Sequence, residues 1–361
     1  MTARPLVVVT QPYVPAYRVP LFESIQEKLA HQGVGFLVAA GDPVGAQAAR
    51  GDEESPAWRV DIRSKGVHLG SRSLVWRTLP PGLRPDVVIS ELEALNNLAW
   101  LRSLRKEKLI LWGHGRPYVN DAGAISDRIE WALARRANAV MTYAEGGRDY
   151  LVEHGKLDAE SVVAIGNSTD SASLRQSYLA LGKDEVHELR QRWPHAPRAL
   201  FVGGLDSAKR IDFLVDAAIS ARQRDPRFTL IVVGQGEMQD ALSRAGEAIE
   251  HIPTARGADL ARLAHVVQVV WMPGRIGLVA VDALALGLPV LTTSYRYHAP
   301  EVEFLNHNER VILPDEPNAF AEAALDLMAT QPTDVRPLRS DIPTIESVAS
   351  NFVGVVLRVL G

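Results

Sequence analysis

Residues 271–291, WMPGRIGLVAVDALALGLPVL, decide the fold. An aliphatic run at 266–270 precedes them, a Pro- and Gly-containing loop follows at 272–277, and an almost wholly apolar segment at 278–286 ends at Gly287 and Pro289. This order predicts strand, loop, helix and strand, one turn of a parallel sheet covered on both faces. From Ile276 to Leu291 a single side chain, Asp282, is neither aliphatic nor Gly nor Pro. A carboxylate among apolar neighbours is costly to bury unless something donates hydrogen bonds to it. Two accounts are open: Asp282 answers the helix dipole or a nearby Arg, or it accepts from ligand hydroxyls such as those of a ribose.

The same alternation spreads outward in both directions. Short aliphatic runs stand at 6–9, 35–39, 86–89, 109–112, 139–142 and 162–165, and again at 199–202, 229–233, 266–270, 289–291 and 310–313, with helix-like segments between them. The class expected is α/β, with two doubly wound Rossmann-like domains. A polar, charged segment between Ser173 and Pro197 suggests the boundary, giving domains at 1–175 and 176–345. Residues 346–361 form an amphipathic tail expected to pack back toward the N-terminal domain, and the polar block 46–65 is expected to be a long loop. Ligands of such sheets bind beyond the carboxyl ends of the strands, so two sheets facing across a cleft would place functional residues just after strands.

Composition narrows the chemistry. The 361 residues are 47% hydrophobic and 23% charged, as in ordinary globular proteins. Lys plus Arg at 39 against Asp plus Glu at 43 give a formal charge of -4, without the basic field that nucleic acid requires. There is no Cys, which removes disulfides, thiolate nucleophiles and Cys-based zinc sites and makes a cytoplasmic location the expectation. The apolar start is too short for a signal sequence, and no run reaches the length of a spanning helix. The basic segment LRSLRKEK at 101–108 leaves peripheral membrane contact open beside the simpler account of a solvated helix face.

Three strand ends in the second half carry candidate ligand groups. At Gly277 the free N–H groups of Gly277, Leu278 and Val279 would form a phosphate-binding helix start. In FVGGLDSAKRID, Gly203 and Gly204 follow a strand, and Lys209 supplies a point charge near the next helix. In LIVVGQGEMQDAL, Gly234 and Gly236 lack the third glycine of a dinucleotide fingerprint, so no redox cofactor is expected. Glu237 there is either a base- or sugar-facing group or an exposed helix-start residue. In the first half, His114 lies between two glycines in LILWGHGRPY, where it is either a substrate-facing group or a solvated loop residue. After the first strand, TQPYVPAYRVP offers Tyr13, Tyr17 and Arg18, either to an acceptor or to packing of their own loop.

Taken in order, GGLDSAK, VVGQGEMQ, GRIGLVAVD with GLPVL, and HAPE ending at Glu301 resemble the motifs of the retaining nucleotide-sugar glycosyltransferases of the GT-B fold, over roughly residues 199–313. The resemblance implies transfer of a sugar from a nucleotide diphosphate donor to an acceptor hydroxyl, with retention and without metal. It implies that Lys209 holds the diphosphate, Asp282 the ribose and His114 the transferred sugar, and that Asn167 and Asp170 match a pair preceding the hinge. Two positions depart from the pattern: the family's Arg is Gly204, and the first Glu of its pair is Gly274. Arg275 or Arg210 is expected to supply the compensating charge, and Glu301 to meet the donor sugar. No cofactor is implied beyond the nucleotide-sugar co-substrate, and the acceptor is left as a glycan, a lipid-linked glycan or a small metabolite. A nucleotide-sugar epimerase of the same architecture and a non-catalytic sugar-binding protein are the other functions considered.

Overall fold

The computed structural model describes residues 4–44, 48, 51–69, 72–119, 123–192, 197–330 and 339–361. Its chain forms two compact units. The first contains the residues up to Val44, then Asp52–Asn167 and Ile345–Gly361, and the second contains Ser168–Thr344.

In the first unit the strands are β1 (Leu6–Gln11), β2 (Gly35–Ala40), β3 (Arg59–Asp61), a hairpin of β4 (Arg63–Leu69) and β5 (Arg72–Thr78), then β6 (Val87–Glu91), β7 (Lys108–Gly113), β8 (Ala139–Thr142) and β9 (Val162–Ala164). Seven of them make one parallel sheet in the order β3-β2-β1-β6-β7-β8-β9, while β4 and β5 pair only with each other. Val7, Val8 and Val9 are fully buried, because helices cover both faces of a parallel sheet. Helix Ile345–Leu360 closes one side: Val348, Ala349, Phe352 and Val356 enter the same core as Val7, Phe22 and Trp112.

The second unit has β10 (Arg198–Val202), β11 (Thr229–Val233), β12 (Ile249–Ile252), β13 (Val269–Trp271), β14 (Val290–Thr292) and β15 (Arg310–Ile312), all parallel in the order β12-β11-β10-β13-β14-β15. Both sheets are doubly wound. Their strand order reverses between β1 and β6 in one and between β10 and β13 in the other, and the loops after those strands flank the crevice where such sheets take ligands.

Four expectations change. The block 46–65 is not wholly loop, since β3 pairs with β2 at the sheet edge and β4 begins at Arg63. The segment after Gly236 is a 3-10 stretch, Gln239–Ala248, interrupted at Gly246, and leads into the unexpected strand β12. The strand expected at 266–270 is shifted to Val269–Trp271, because Val266 still closes the turn after helix Ala258–Ala264 by donating to the Leu263 carbonyl. The chain enters the second unit at Ser168, so helix Ser171–Ala180 lies wholly within it and buries Leu174 in that unit's core. Asp170 is explained locally as the N-cap of this helix, accepting from the Ser173 N–H at 3.2 Å.

Candidate active site

The switch point of the second sheet joins two loops. After β10 the chain makes a 3-10 turn, Ser207–Lys209, and Arg210 then adopts the left-handed conformation at φ 56° to start helix Ile211–Arg224. After β13 the chain runs through Pro273, Gly274 and Arg275 to Gly277 and helix Val279–Leu286. The Arg275 N–H donates to the Ala208 carbonyl at 2.8 Å, and Lys209 Nζ donates to the Arg275 carbonyl at 2.6 Å. The ammonium therefore stands beside the loop that leads from Arg275 into helix Val279–Leu286. Among the described residues none accepts from the N–H groups of Gly277, Leu278 or Val279.

Gly274 explains why the family's first Glu is missing. A Cβ built there would lie 2.5 Å from the Ala208 carbonyl oxygen and 2.6 Å from the Lys209 carbonyl carbon, both of them backbone atoms. The two loops touch through the space a side chain would fill. Restoring the family's residue in Gly274→Glu, or adding only a methyl in Gly274→Ala, should each destabilise the protein by about 1–3 kcal/mol or more through overpacking. Urea denaturation checks this; an unchanged midpoint for Gly274→Ala would show that the loops do not meet this closely.

The glycines of the neighbouring loops do similar work. A Cβ on Gly234 would meet the Gly203 carbonyl oxygen at 1.9 Å, and one on Gly236 the Leu205 carbonyl oxygen at 2.5 Å. Here the missing side chains let loop pack on loop. Gly204 sits in the same turn, its carbonyl accepting from the Asp206 N–H at 3.1 Å. Glu237 is exposed.

Arg210 and Arg275 are both anchored. Arg210 pairs with Asp315, donates to Thr293 Oγ1 at 3.0 Å and lies over the Phe213 ring with Cζ 4.4 Å from its centre. Arg275 donates from Nε to the Tyr297 carbonyl at 3.3 Å. Sequence reasoning overlooked His298, although it heads the HAPE motif. Its Nδ1 accepts from the Ile276 N–H at 3.1 Å, and the Ala299 N–H donates to the Ile276 carbonyl at 2.8 Å, so this loop fixes the residue before Gly277. Burial, together with the charges of Arg310, Lys209 and Arg275, lowers the His298 pKa to about 4 and keeps the imidazole neutral. Glu301 follows in the turn Pro300–Phe304 and is buried.

Asp282 occupies the first turn of helix Val279–Leu286 and accepts from Thr169 Oγ1 at 2.7 Å. Burial raises its pKa to about 6, with the Thr169 hydroxyl pulling the other way. Thr169 is thus the local partner that the sequence left unnamed.

In the first unit His114 follows β7 and lines a cavity of about 380 Å³ with Tyr118, Tyr143, Tyr150 and Glu130. Its ring centre is 5.6 Å from that of Tyr143 and 6.1 Å from that of Tyr118. Burial, reinforced by Asp127 and Glu93, raises the Glu130 carboxyl to about 8. The glycines beside His114 serve packing: a Cβ on Gly113 would meet Leu92 Cβ at 2.8 Å, and one on Gly115 the Gly147 carbonyl oxygen at 2.7 Å. Tyr13 is buried with its hydroxyl 3.2 Å from Asp52 Oδ1, while Tyr17 is exposed and Arg18 buried. Among the described residues no cluster of His, Asp or Glu could hold a metal ion, and no helix is long and apolar enough to cross a membrane.

Comparison with known proteins bears on the fold that carries this geometry. Residues 196–330, which hold β10–β15 and the Lys209–Gly277 site, match the family described as Glycosyl transferases group 1. The chain is similar in fold to a glycosyltransferase from Rickettsia africae, at 13% identity and a TM-score of 0.60 over 99% of this chain and 94% of that one. It is likewise similar to the sucrose-phosphate synthase of Thermosynechococcus elongatus, at 17% identity and 0.60 over 99% and 95%. The UDP-GlcNAc 2-epimerase of Neisseria meningitidis bound to UDP-GlcNAc shares the fold at 12% identity and 0.63 over 98% and 99%. No curated protein matches the sequence. The two α/β units have the GT-B architecture, and the second is a glycosyltransferase group 1 domain. Over residues 196–330 the chain is similar to the glycosyltransferases of that family.

Proposed function

We propose that the protein transfers a glycosyl group from a nucleotide diphosphate sugar to an acceptor hydroxyl, with retention at the anomeric carbon and without a metal ion. The observation that carries this reading is the 2.6 Å bond from Lys209 Nζ to the Arg275 carbonyl, which holds a cation at the amino end of helix Val279–Leu286. As the bond from the anomeric carbon to the diphosphate oxygen breaks, negative charge grows on that oxygen. A fixed ammonium and preorganised N–H donors stabilise it without reorganisation. Asp282 holds the ribose hydroxyls, Glu301 the donor sugar, and Arg275 adds positive charge. On the first unit His114 donates a hydrogen bond to the transferred sugar, and the loop with Tyr17 and Arg18 takes the acceptor. Retention rests on the motif resemblance.

Several structural neighbours are UDP-GlcNAc 2-epimerases, which favours one second reading, epimerisation of the donor itself. The family match over residues 196–330 argues for transfer instead. Two measurements test the choice. In a thermal-shift panel of UDP, GDP, ADP and TDP, at least one should raise the melting temperature, by mass action on the native state. If all four leave it unmoved, the donor site is wrongly assigned. UDP-GlcNAc incubated alone should persist or hydrolyse slowly; its conversion to the 2-epimer would establish the second reading.

A further inference from the structure

Arg18 is the most deeply buried cation of the first unit's switch point. It sits in the turn Ala16–Arg18 after β1 and is 5% exposed. Its surroundings are aromatic: Cζ is 4.4 Å from the Trp112 ring centre, 5.4 Å from that of Tyr143 and 5.6 Å from that of Tyr17. Nη2 donates to the Tyr143 hydroxyl at 3.1 Å. Nη1 is buried and has no hydrogen-bond acceptor among the described residues, and no Asp or Glu there pairs with the guanidinium.

This is an unusual way to keep an Arg. A guanidinium stays charged in proteins, and a desolvated charge is costly unless a counter-charge and hydrogen bonds offset it. The faces of Trp112, Tyr143 and Tyr17 and the hydroxyls of Tyr143 and Tyr17 return part of that. They leave one edge of a planar fork that matches a carboxylate or phosphate group in two parallel bonds. An Arg kept only for packing would be replaced at lower cost by an apolar residue.

Place points the same way. Trp112 and Tyr143, the rings that hold the guanidinium, also line the cavity containing His114. An anion on Nη1 would therefore lie one aromatic ring away from the group assigned to the transferred sugar. Tyr17, at 38% exposure, stands between the guanidinium and solvent, so an anion reaching Nη1 displaces its ring.

We propose that Arg18 binds an anionic oxygen group, carboxylate or phosphate, carried by the acceptor, so that the acceptor is an acidic hydroxyl compound such as a uronic acid or a phosphorylated polyol. This rests on the transferase reading for the word acceptor, while the anion site stands on the geometry alone. The other source of the same chemistry is the donor's diphosphate, and the test separates the two.

Inorganic phosphate and acetate are titrated, by thermal shift and calorimetry, into the wild type, Arg18→Met and Arg18→Lys, each with and without saturating UDP. The wild type saturated with UDP should still bind one of the two anions. Arg18→Met should bind it about tenfold more weakly or worse, Arg18→Lys should fall between, and UDP affinity should be the same in all three. Without anion, Arg18→Met should melt no lower than the wild type, because an apolar side chain suits the aromatic surroundings. An anion response equal in wild type and Arg18→Met, no response in the UDP-saturated wild type, or a loss of UDP affinity in Arg18→Met would each overturn the proposal. If UDP binds no variant, the donor reading fails, and the nucleotide-free titration still decides the role of Arg18.

Discussion

Lys209→Met should lower kcat by about 10²–10³, the usual cost of removing one preorganised donor from a developing oxyanion. The side chain is held by the Arg275 carbonyl beside a helix start, and in the proposed function its charge meets the leaving diphosphate in the ground state and more strongly as the bond breaks. UDP affinity should therefore fall by less than kcat does. Removing the bond to Arg275 costs about 1 kcal/mol of stability, too little to unfold the protein. Lys209→Arg should recover little, because a planar fork does not reproduce a compact ammonium. Steady-state kinetics with a defined donor and acceptor check this; a kcat within threefold of the wild type would remove Lys209 from the mechanism.

Asp282→Asn should make the protein more stable and a poorer binder of nucleotide at the same time. Burial raises the Asp282 pKa to about 6 in the folded state, above the usual Asp range, so the folded protein holds this proton more tightly than the unfolded chain does. Its contribution to stability is then fully present below pH 4, is lost as the pH rises through about 6, and stays lost above. Near pH 8 the ionised carboxylate costs roughly 2–3 kcal/mol relative to a neutral isostere. Asn escapes that cost and can still accept from Thr169 through its own oxygen. The melting temperatures of Asp282→Asn and wild type should coincide near pH 4, diverge between pH 4 and 6, and keep a constant gap above.

In the proposed function the same substitution removes the charge from hydrogen bonds to the ribose hydroxyls. UDP affinity should then drop about 10–100-fold at pH 8. Wild-type affinity should also weaken below pH 6, and the Asn variant separates this loss from titration of the phosphate itself. A variant that is less stable at pH 8, or that binds UDP as the wild type does, would return Asp282 to a purely structural role.

The architecture was legible because parallel strands buried on both faces write themselves as uninterrupted aliphatic runs. Val7–Val9 and the run through β11 are examples. What escaped notice was at the edges. In β12 the sequence IEHI sets Glu and His side by side between two Ile because the strand is only half-buried, and β3, RVD, is too short and polar to stand out. The site was legible in its charges and in the apolar setting of Asp282, and less so in its glycines. Nothing in the sequence around Gly113, Gly115, Gly234 or Gly274 shows that a Cβ there would strike Leu92, the Gly147 carbonyl, the Gly203 carbonyl or the Ala208 carbonyl respectively. Loop-to-loop contact is a long-range fact that no local pattern contains. Thr169 lies 113 positions from Asp282, and His298 is 22 from Ile276, so neither partnership shows in a local window.

The most direct test of the account is a crystal structure of the protein with UDP bound. Diphosphate oxygens should lie about 2.7–3.2 Å from Lys209 Nζ and from the N–H groups of Gly277 and Leu278, with the ribose on Asp282 and no divalent ion bridging the phosphates. A diphosphate bound away from that helix start, or held there through a metal ion, would contradict it.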